Sequence, residues 1–122
     1  MKLIIAGSRT LNIGTGFIES SIRILNITKP TEIVCGMAKG VDYSGFEYAK
    51  LAANYPLTCK EFPADWDKNG RAAGPIRNKQ MADYADALLL IWDGESKGSA
   101  NMKENMLKLN KPVYEVILKR PK

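Results

Sequence analysis

The segment Ala87–Trp92 is an unbroken apolar run, Ala-Leu-Leu-Leu-Ile-Trp, which is preceded by Asp86 and followed by Asp93. A strand that is apolar on both faces has to be covered on both faces, as a central strand of a parallel sheet is. Shorter apolar runs occur at Lys2–Ala6 and Glu32–Cys35. We therefore predict a parallel sheet with helices packed on both sides.

Segments with helical periodicity alternate with these strands along the chain. The predicted strands are Lys2–Ala6, Glu32–Cys35, Leu57–Phe62, Ala87–Trp92 and Pro112–Leu118, and the predicted helices cover 16–27, 43–54, a segment from Pro75, and a segment marked by Met102, Met106 and Leu109. This alternation predicts an α/β three-layer sandwich with a five-stranded, mainly parallel sheet in the order 3-2-1-4-5. Ligands of such sheets bind at the carboxyl ends of the strands, where the winding reverses between strands one and four.

Length and composition describe an ordinary globular chain. Its 122 residues, 45% of them hydrophobic and 25% charged, predict one domain over 1–122 with a substantial core. No apolar run approaches the roughly 20 residues that cross a bilayer, and the N-terminus lacks the apolar stretch of a signal peptide. The sequence therefore predicts a cytoplasmic protein without a membrane partner.

The chain contains no histidine, which excludes Ser-His-Asp and Cys-His catalysis and argues against a structural zinc site. We predict no metal and no cofactor. Cys35 and Cys59 both fall in predicted strands, and we interpret them as buried, reduced thiols. The net charge of +5 permits a polyanionic partner, but no continuous basic and aromatic track indicates a nucleic-acid groove.

Three glycine-containing loops follow predicted strands one, two and four. They are Gly7-Ser8-Arg9, Gly36-Met37-Ala38-Lys39-Gly40-Val41-Asp42 and Asp93-Gly94-Glu95-Ser96-Lys97-Gly98-Ser99. A glycine turn that leads into a helix presents backbone N–H groups to an anion such as phosphate. Because the three strands are neighbours in the predicted order, we expect the loops to converge on one anionic ligand.

Several side chains in and near these loops suit a phosphate or a sugar. Arg9 and Lys39 supply positive charge, and Asp42 either caps the second helix or accepts a hydrogen bond from a ribose hydroxyl. Ser99 either contacts the ligand or caps the fourth helix. Arg77, in the predicted first turn of the third helix, opposes the helix dipole and indicates a nearby anion. The candidate binding residues are Gly7, Ser8, Arg9, Gly36, Lys39, Gly40, Asp42, Arg77, Asn78, Asp93, Ser96, Gly98 and Ser99.

The connection from Pro63 to Gly74 is long and shows no helical or strand periodicity in its hydrophobic residues. Connections of this length are usually functional or disordered, and disorder does not need a tryptophan such as Trp66. We predict an ordered loop that borders the site.

With these segments in place, the chain resembles the SLOG superfamily, and within it the small stand-alone branch called YspA/cpYpsA-related. The resemblance is carried by the three glycine loops and by Ala73-Gly74-Pro75-Ile76-Arg77-Asn78 with Met81, which occur in the right order over nearly the whole chain. It implies a Rossmann-like fold that binds nucleotides, nucleotide-derived signals or nucleic acid, and it implies a homo-oligomer. The relatives include Lonely Guy phosphoribohydrolases and DNA-processing protein A.

The resemblance to Lonely Guy enzymes stops short of their catalytic residue. Those enzymes carry a glutamate three positions after the threonine of their glycine loop, and the position counted from Ser99 holds Met102. We therefore favour binding of a nucleotide or nucleotide-derived ligand, for sensing, carrying or sequestering, and leave catalytic residues unassigned. A nucleotide phosphoribohydrolase, with Asp42, Asp65, Asp67 or Glu95 as the carboxylate, and a single-stranded nucleic-acid binder are the alternatives.

Overall fold

A five-stranded sheet forms the centre of the protein in a computed structural model that describes residues 1–51 and 56–119. The strands are β1 Lys2–Gly7, β2 Glu32–Cys35, β3 Thr58–Glu61, β4 Ala87–Trp92 and β5 Val113–Ile117. Their order is β3-β2-β1-β4-β5, and every neighbouring pair runs parallel. The predicted α/β class and strand order are confirmed, and the sheet is wholly parallel.

Helices cover both faces of this sheet, as a Rossmann-like fold requires. They are α1 Thr15–Ile24, α2 Val41–Lys50, α3 Trp66–Asn69, α4 Ala73–Tyr84 and α5 Lys97–Lys108. Leu89 and Ile91 of β4 belong to the core that includes α1 and α2. Leu88 and Leu90 belong to the core that includes α4 and α5. Both sets are fully buried, which explains why β4 is apolar at every position.

The helix boundaries correct the sequence predictions for Asp42 and Arg77. α2 begins at Val41, after Gly40 at a φ of 77°, so Asp42 lies inside the first turn and does not cap the helix. α4 begins at Ala73 rather than Pro75, which places Arg77 in the second turn instead of the first. Proline fits at the third helical position because the first N–H groups of a helix have no intrahelical partner. The predicted end of the second helix at Asn54 lies outside the described residues.

The segment before α4 is ordered, as predicted, but it is partly helical rather than a loop. It contains α3 and a 3-10 turn at Gly70–Ala72. The Asp65 carboxylate caps α3 by accepting the Lys68 N–H at 3.1 Å. None of the helices in residues 1–51 and 56–119 has both the length and the apolar character to cross a bilayer.

The two cysteines lie on adjacent strands and are free thiols. Cys35 is buried, as predicted, whereas Cys59 is only partly buried because β3 is an edge strand. Their sulfur atoms are 3.0 Å apart.

Gly7 ends β1 where the backbones of β1 and β4 leave no space for a side chain. A Cβ at this position would lie 1.7 Å from the Ile91 carbonyl oxygen. We expect Gly7→Ala to lower the free energy of unfolding by about 3 kcal/mol or more, because the two strands have to separate. Urea unfolding followed by circular dichroism measures the change.

Gly16→Ala is the matched control, because no atom lies within 4 Å of a Cβ at this position of α1. It should raise the free energy of unfolding by about 0.5–1 kcal/mol through the better helix propensity of alanine. Equal stability of the two variants would contradict the close approach of β1 and β4.

Candidate ligand-binding cleft

A cleft of about 610 Å³ opens at the carboxyl ends of β1, β2 and β4. Gly7 ends β1, Gly36 follows β2, and Ser96 lies in the loop after β4, so all three glycine loops contribute to it. This is the point where the winding of the sheet reverses. The volume lies within the range of small-molecule sites, about 300–1,000 Å³.

Most of the sequence-predicted site residues meet in this cleft. Those that line it are Gly7, Arg9, Gly36, Lys39, Asp42, Arg77, Asn78, Ser96, Gly98 and Ser99. Ser8, Gly40 and Asp93 do not line it. Sequence reasoning missed Lys97 and the apolar residues Met37, Ala38 and Met102. Lys97 could have been predicted from the sequence, because it lies between two predicted site residues.

The polar atoms of Ser8 and Asp93 are occupied inside the protein. Ser8 is buried, and its hydroxyl accepts the Asp93 N–H at 3.1 Å. The Asp93 carboxylate accepts the N–H groups of Glu95 and Ser96 at 2.9 and 3.1 Å. The Glu95 N–H is the largest cause of a lowered pKa at Asp93. Both residues therefore shape the β4–α5 loop and do not face the cleft.

Helix α5 begins at the cleft with an unpaired hydroxyl. Ser96 is the N-cap, and its hydroxyl accepts the Ser99 N–H at 3.4 Å, so the predicted alternative that Ser99 caps the helix is wrong. Ser99 Oγ is itself buried and is the only such side-chain polar atom in the described chain without a hydrogen-bond partner. A buried polar group left unpaired costs about 1–3 kcal/mol. The free N–H groups of the first helical turn lie beside it.

Arg77 and Asn78 join the loops that surround the cleft. Arg77 is only 9% exposed, and its guanidinium donates to the Gly36 carbonyl and, at 3.0 Å, to Asn78 Oδ1. The Asn78 amide donates to the Gly98 carbonyl at 3.2 Å and to Asn101 Oδ1 at 3.0 Å. α4 is thereby connected to the loop after β2 and to the start of α5. Burial lowers the pKa of Arg77, and the nearby Asp42 carboxylate partly offsets this.

Asp42 lies at the floor of the cleft and is 6% exposed. Its carboxylate accepts the Gly7 N–H at 3.2 Å. Burial raises the pKa of Asp42 to about 6, against the opposing effects of Arg77 and the Gly7 N–H. A Cβ at residue 36 would lie 2.7 Å from Asp42 Oδ2 and 2.8 Å from Arg77 Nη1. Only glycine therefore lets both charged groups approach the backbone here.

Positive charge lies at the edge of the cleft. Arg9, Lys39 and Lys97 line it and are exposed. Among the described residues, none of the three takes part in an ion pair. Their charges are therefore available to an anionic ligand. The same described residues hold no group of three or more cysteine, aspartate or glutamate side chains placed to bind a metal ion.

An exposed aromatic side chain also lines the cleft. Trp66, 53% exposed, lines the cleft together with Pro63 and Ala64 from the segment that the sequence indicated. Trp66 Cη2 lies 3.5 Å from the position of a Cβ on Gly74, so the ring packs against the start of α4. The cleft thus has a cationic edge and an aromatic wall.

Comparisons with protein-family models, with curated proteins and with solved structures found no match for this chain. The SLOG resemblance therefore rests on the sequence segments that suggested it, and the function has to be inferred from the cleft.

The raised pKa of Asp42 predicts how stability changes with pH. The pKa of an aspartate in an unfolded chain is about 3.9, whereas burial raises the pKa of Asp42 in the folded protein to about 6. Between these values the folded state binds more protons than the unfolded state, so stability falls as pH rises. Above pH 6 the free energy of unfolding has fallen by a total on the order of 3 kcal/mol at most. Asp42→Asn, which keeps an acceptor for the Gly7 N–H, should abolish this loss.

Urea unfolding at several pH values between 4 and 8 measures this effect. The stability of Asp42→Asn relative to the unsubstituted protein should increase with pH. Asp83→Asn is a control, because its carboxylate is half-exposed in an i,i+4 pair with Lys79 and should not change the slope in this direction. Parallel curves for the unsubstituted protein and Asp42→Asn would contradict the assignment.

Proposed function

We propose that the protein binds a nucleotide or a nucleotide-derived ligand in the cleft, and that it senses, carries or sequesters this molecule. The observation that carries the proposal is the unpaired, buried hydroxyl of Ser99 at the N-terminus of α5. A phosphate oxygen is an acceptor for that hydroxyl and for the first N–H groups of the helix. The partial positive charge of a helix N-terminus favours the same group.

The side chains around α5 support a phosphate at this end. Arg9, Lys39 and Lys97 all line the cleft and have no ion-pair partner within the described chain. Arg77 already donates to the Gly36 carbonyl and to Asn78, so its part is to position the loops. The cations at the edge therefore provide the charge that the ligand meets.

Trp66 supports a base in the same cleft. Nucleobases stack on exposed aromatic side chains, with about 1–3 kcal/mol per base. Trp66 presents such a surface inside the cleft, beside Pro63 and Ala64. A ligand with a planar base and a phosphate matches both Trp66 and the start of α5, whereas a free inorganic phosphate uses only the start of α5.

Isothermal titration calorimetry against nucleoside mono- and diphosphates tests the proposal. Ser99→Ala should weaken binding by about 5- to 30-fold, since it removes a hydrogen bond to a charged acceptor. The same substitution should raise the stability of the free protein, because it removes an unpaired buried hydroxyl. This opposite change in affinity and stability distinguishes a ligand contact from a structural role.

Lys39→Ala should also weaken nucleotide binding, by about 3- to 10-fold, and the loss should shrink as salt is added. Lys79→Ala is the matched control, since Lys79 is exposed on α4 and pairs with Asp83. The proposal is wrong if no nucleotide gives a binding signal, or if Ser99→Ala and Lys39→Ala bind as the unsubstituted protein does.

A nucleotide phosphoribohydrolase is a second candidate, and Asp42 favours it. A buried carboxyl group in a cleft, with its pKa raised to about 6, can hold a proton near neutral pH and donate it to a leaving base. Water would then add to the sugar carbon as the N-glycosidic bond breaks. Met102, which stands where Lonely Guy enzymes have glutamate, also lines the cleft and supplies no carboxylate.

Incubation with nucleoside monophosphates tests this chemistry through the release of free base and ribose 5-phosphate. If Asp42 is the acid, turnover should fall as pH rises above about 6, and Asp42→Asn should lose it while still binding nucleotide. Nucleotide binding without release of base at high protein concentration would exclude the hydrolase and support binding only.

A further inference from the structure

The two cysteines of the protein are held in contact by the sheet. Cys35 of β2 and Cys59 of β3 have their sulfur atoms 3.0 Å apart. The register places Cys59 opposite Ile33 and Cys35 opposite Glu61, so the cysteines are diagonal neighbours on adjacent strands. Because side chains alternate in direction along a strand, both point to one face of the sheet, the one that packs against α1 and α2. The pairing of β2 and β3 thus fixes the contact between the thiols.

The two thiols hold their protons unequally. The hydrogen bond to Cys59, together with burial, raises the pKa of Cys35. The same hydrogen bond lowers the pKa of Cys59, and the Lys50 ammonium at the end of α2 acts in the same direction, against burial and the carboxylates of Glu61 and Glu32. Cys35 is therefore the S–H donor, and Cys59 is the sulfur that ionises.

Solvent reaches the same sulfur. β3 is an edge strand, and Cys59 lies between the exposed residues Thr58 and Lys60 and is itself only partly buried. Cys35 lies one strand further in and is 0% exposed. The thiolate is the reactive form of cysteine, and oxidation follows thiolate character and exposure. Both properties single out Cys59.

The sheet leaves room for the two sulfurs to bond. A disulfide holds its sulfur atoms about 2.05 Å apart, so the thiols have to approach by about 1 Å. Among the described strands, β3 stands at the end of the order and pairs only with β2. A shift of β3 towards β2 therefore separates no other pair of strands.

We infer that Cys59 and Cys35 form a peroxide-sensitive dithiol, in which Cys59 is the thiol that peroxide oxidises and Cys35 is the thiol that resolves it to a disulfide. Reactive thiols of this kind combine an accessible, ionised sulfur with a second thiol beside it. Neither cysteine lines the cleft, so the inference stands whether or not the proposed function does.

The reaction has two steps. The Cys59 thiolate attacks one oxygen of hydrogen peroxide, the O–O bond breaks, and the hydroxide that leaves takes a proton from solvent, which gives a sulfenic acid and water. The Cys35 sulfur then attacks the Cys59 sulfur, the S–O bond breaks, and the hydroxyl leaves as water with the Cys35 proton. Two thiols are oxidised to one disulfide, and one peroxide is reduced to two waters.

A count of free thiols after peroxide treatment tests the inference. The reduced protein, freed of reductant, is treated with hydrogen peroxide and then denatured in the presence of a thiol-reactive dye. We expect two free thiols before treatment and none after it, with two hydrogen atoms lost from the intact mass. A non-reducing peptide map should show Cys35 joined to Cys59, and dithiothreitol should restore both thiols.

Cys35→Ala and Cys59→Ala are a matched pair that identifies the oxidised thiol. In Cys35→Ala, a sulfenic acid should accumulate at Cys59 and be trapped by dimedone, more slowly than the unsubstituted protein forms its disulfide, because the hydrogen bond that lowers the Cys59 pKa is lost. Cys59→Ala should be labelled at least about 10-fold more slowly than Cys35→Ala, since its one thiol is buried. Circular dichroism verifies that each variant is folded.

The inference is overturned if both thiols of the folded protein survive the peroxide, or if the disulfide joins two copies of the chain, which a non-reducing gel detects. The unsubstituted protein decides these two outcomes even if a variant does not fold. Equal labelling of Cys59→Ala and Cys35→Ala also overturns it, because Cys59 would then not be the thiol that peroxide prefers.

Discussion

The buried guanidinium of Arg77 is the contact on which the shape of the cleft depends. It donates to the Gly36 carbonyl and to Asn78, and Asn78 in turn holds the Gly98 carbonyl at the start of α5. Asp42, which interacts with Arg77 through charge alone, holds the end of β1 by accepting the Gly7 N–H. Each of the three glycine loops is therefore held by a polar contact from Arg77, Asn78 or Asp42 at the carboxyl ends of the strands.

This network is costly for the fold. Two charged groups that leave water lose several kcal/mol of hydration each, and their mutual attraction repays this only in part. The raised pKa of Asp42 shows that the cost of burial exceeds the attraction, since burial raises this pKa more than Arg77 and the surrounding N–H groups lower it. An apolar pair of similar volume would pack here without that cost, but it would give the loops no directional contact. The charges thus contribute geometry more than stability.

Sequence periodicity predicts the sheet well because each strand carries its own burial pattern. β4 is apolar at every position since helices cover both faces, and this follows from local residues alone. The capping prediction for Asp42 failed for the opposite reason. Gly40 adopts a positive φ and starts α2 earlier, and one hydrogen-bond partner of Asp42 is Gly7, which is 35 positions away. Neither the early start of α2 nor the contact with Gly7 can be predicted from the residues next to Asp42.

The polar loop residues show the same limit. Ser8 and Ser99 look equivalent in the sequence, as small hydroxyl residues after a strand and before a helix. The structure separates them, because Asp93 occupies the Ser8 hydroxyl while Ser99 Oγ has no partner within the described chain.

Unfavourable features of the described chain gather in one place. Asp42 is a carboxylate in a dry environment, and Ser99 has an unpaired buried hydroxyl. Met37 is the only described residue with a positive φ that is neither glycine nor asparagine, the residues that tolerate this conformation best. All three line the same cleft. A bound ligand that pairs with the hydroxyl and the edge cations stabilises the folded state in proportion to its binding free energy. Three unfavourable features in one cleft, beside a core of closely packed apolar strands, support the proposed ligand binding over a purely structural role.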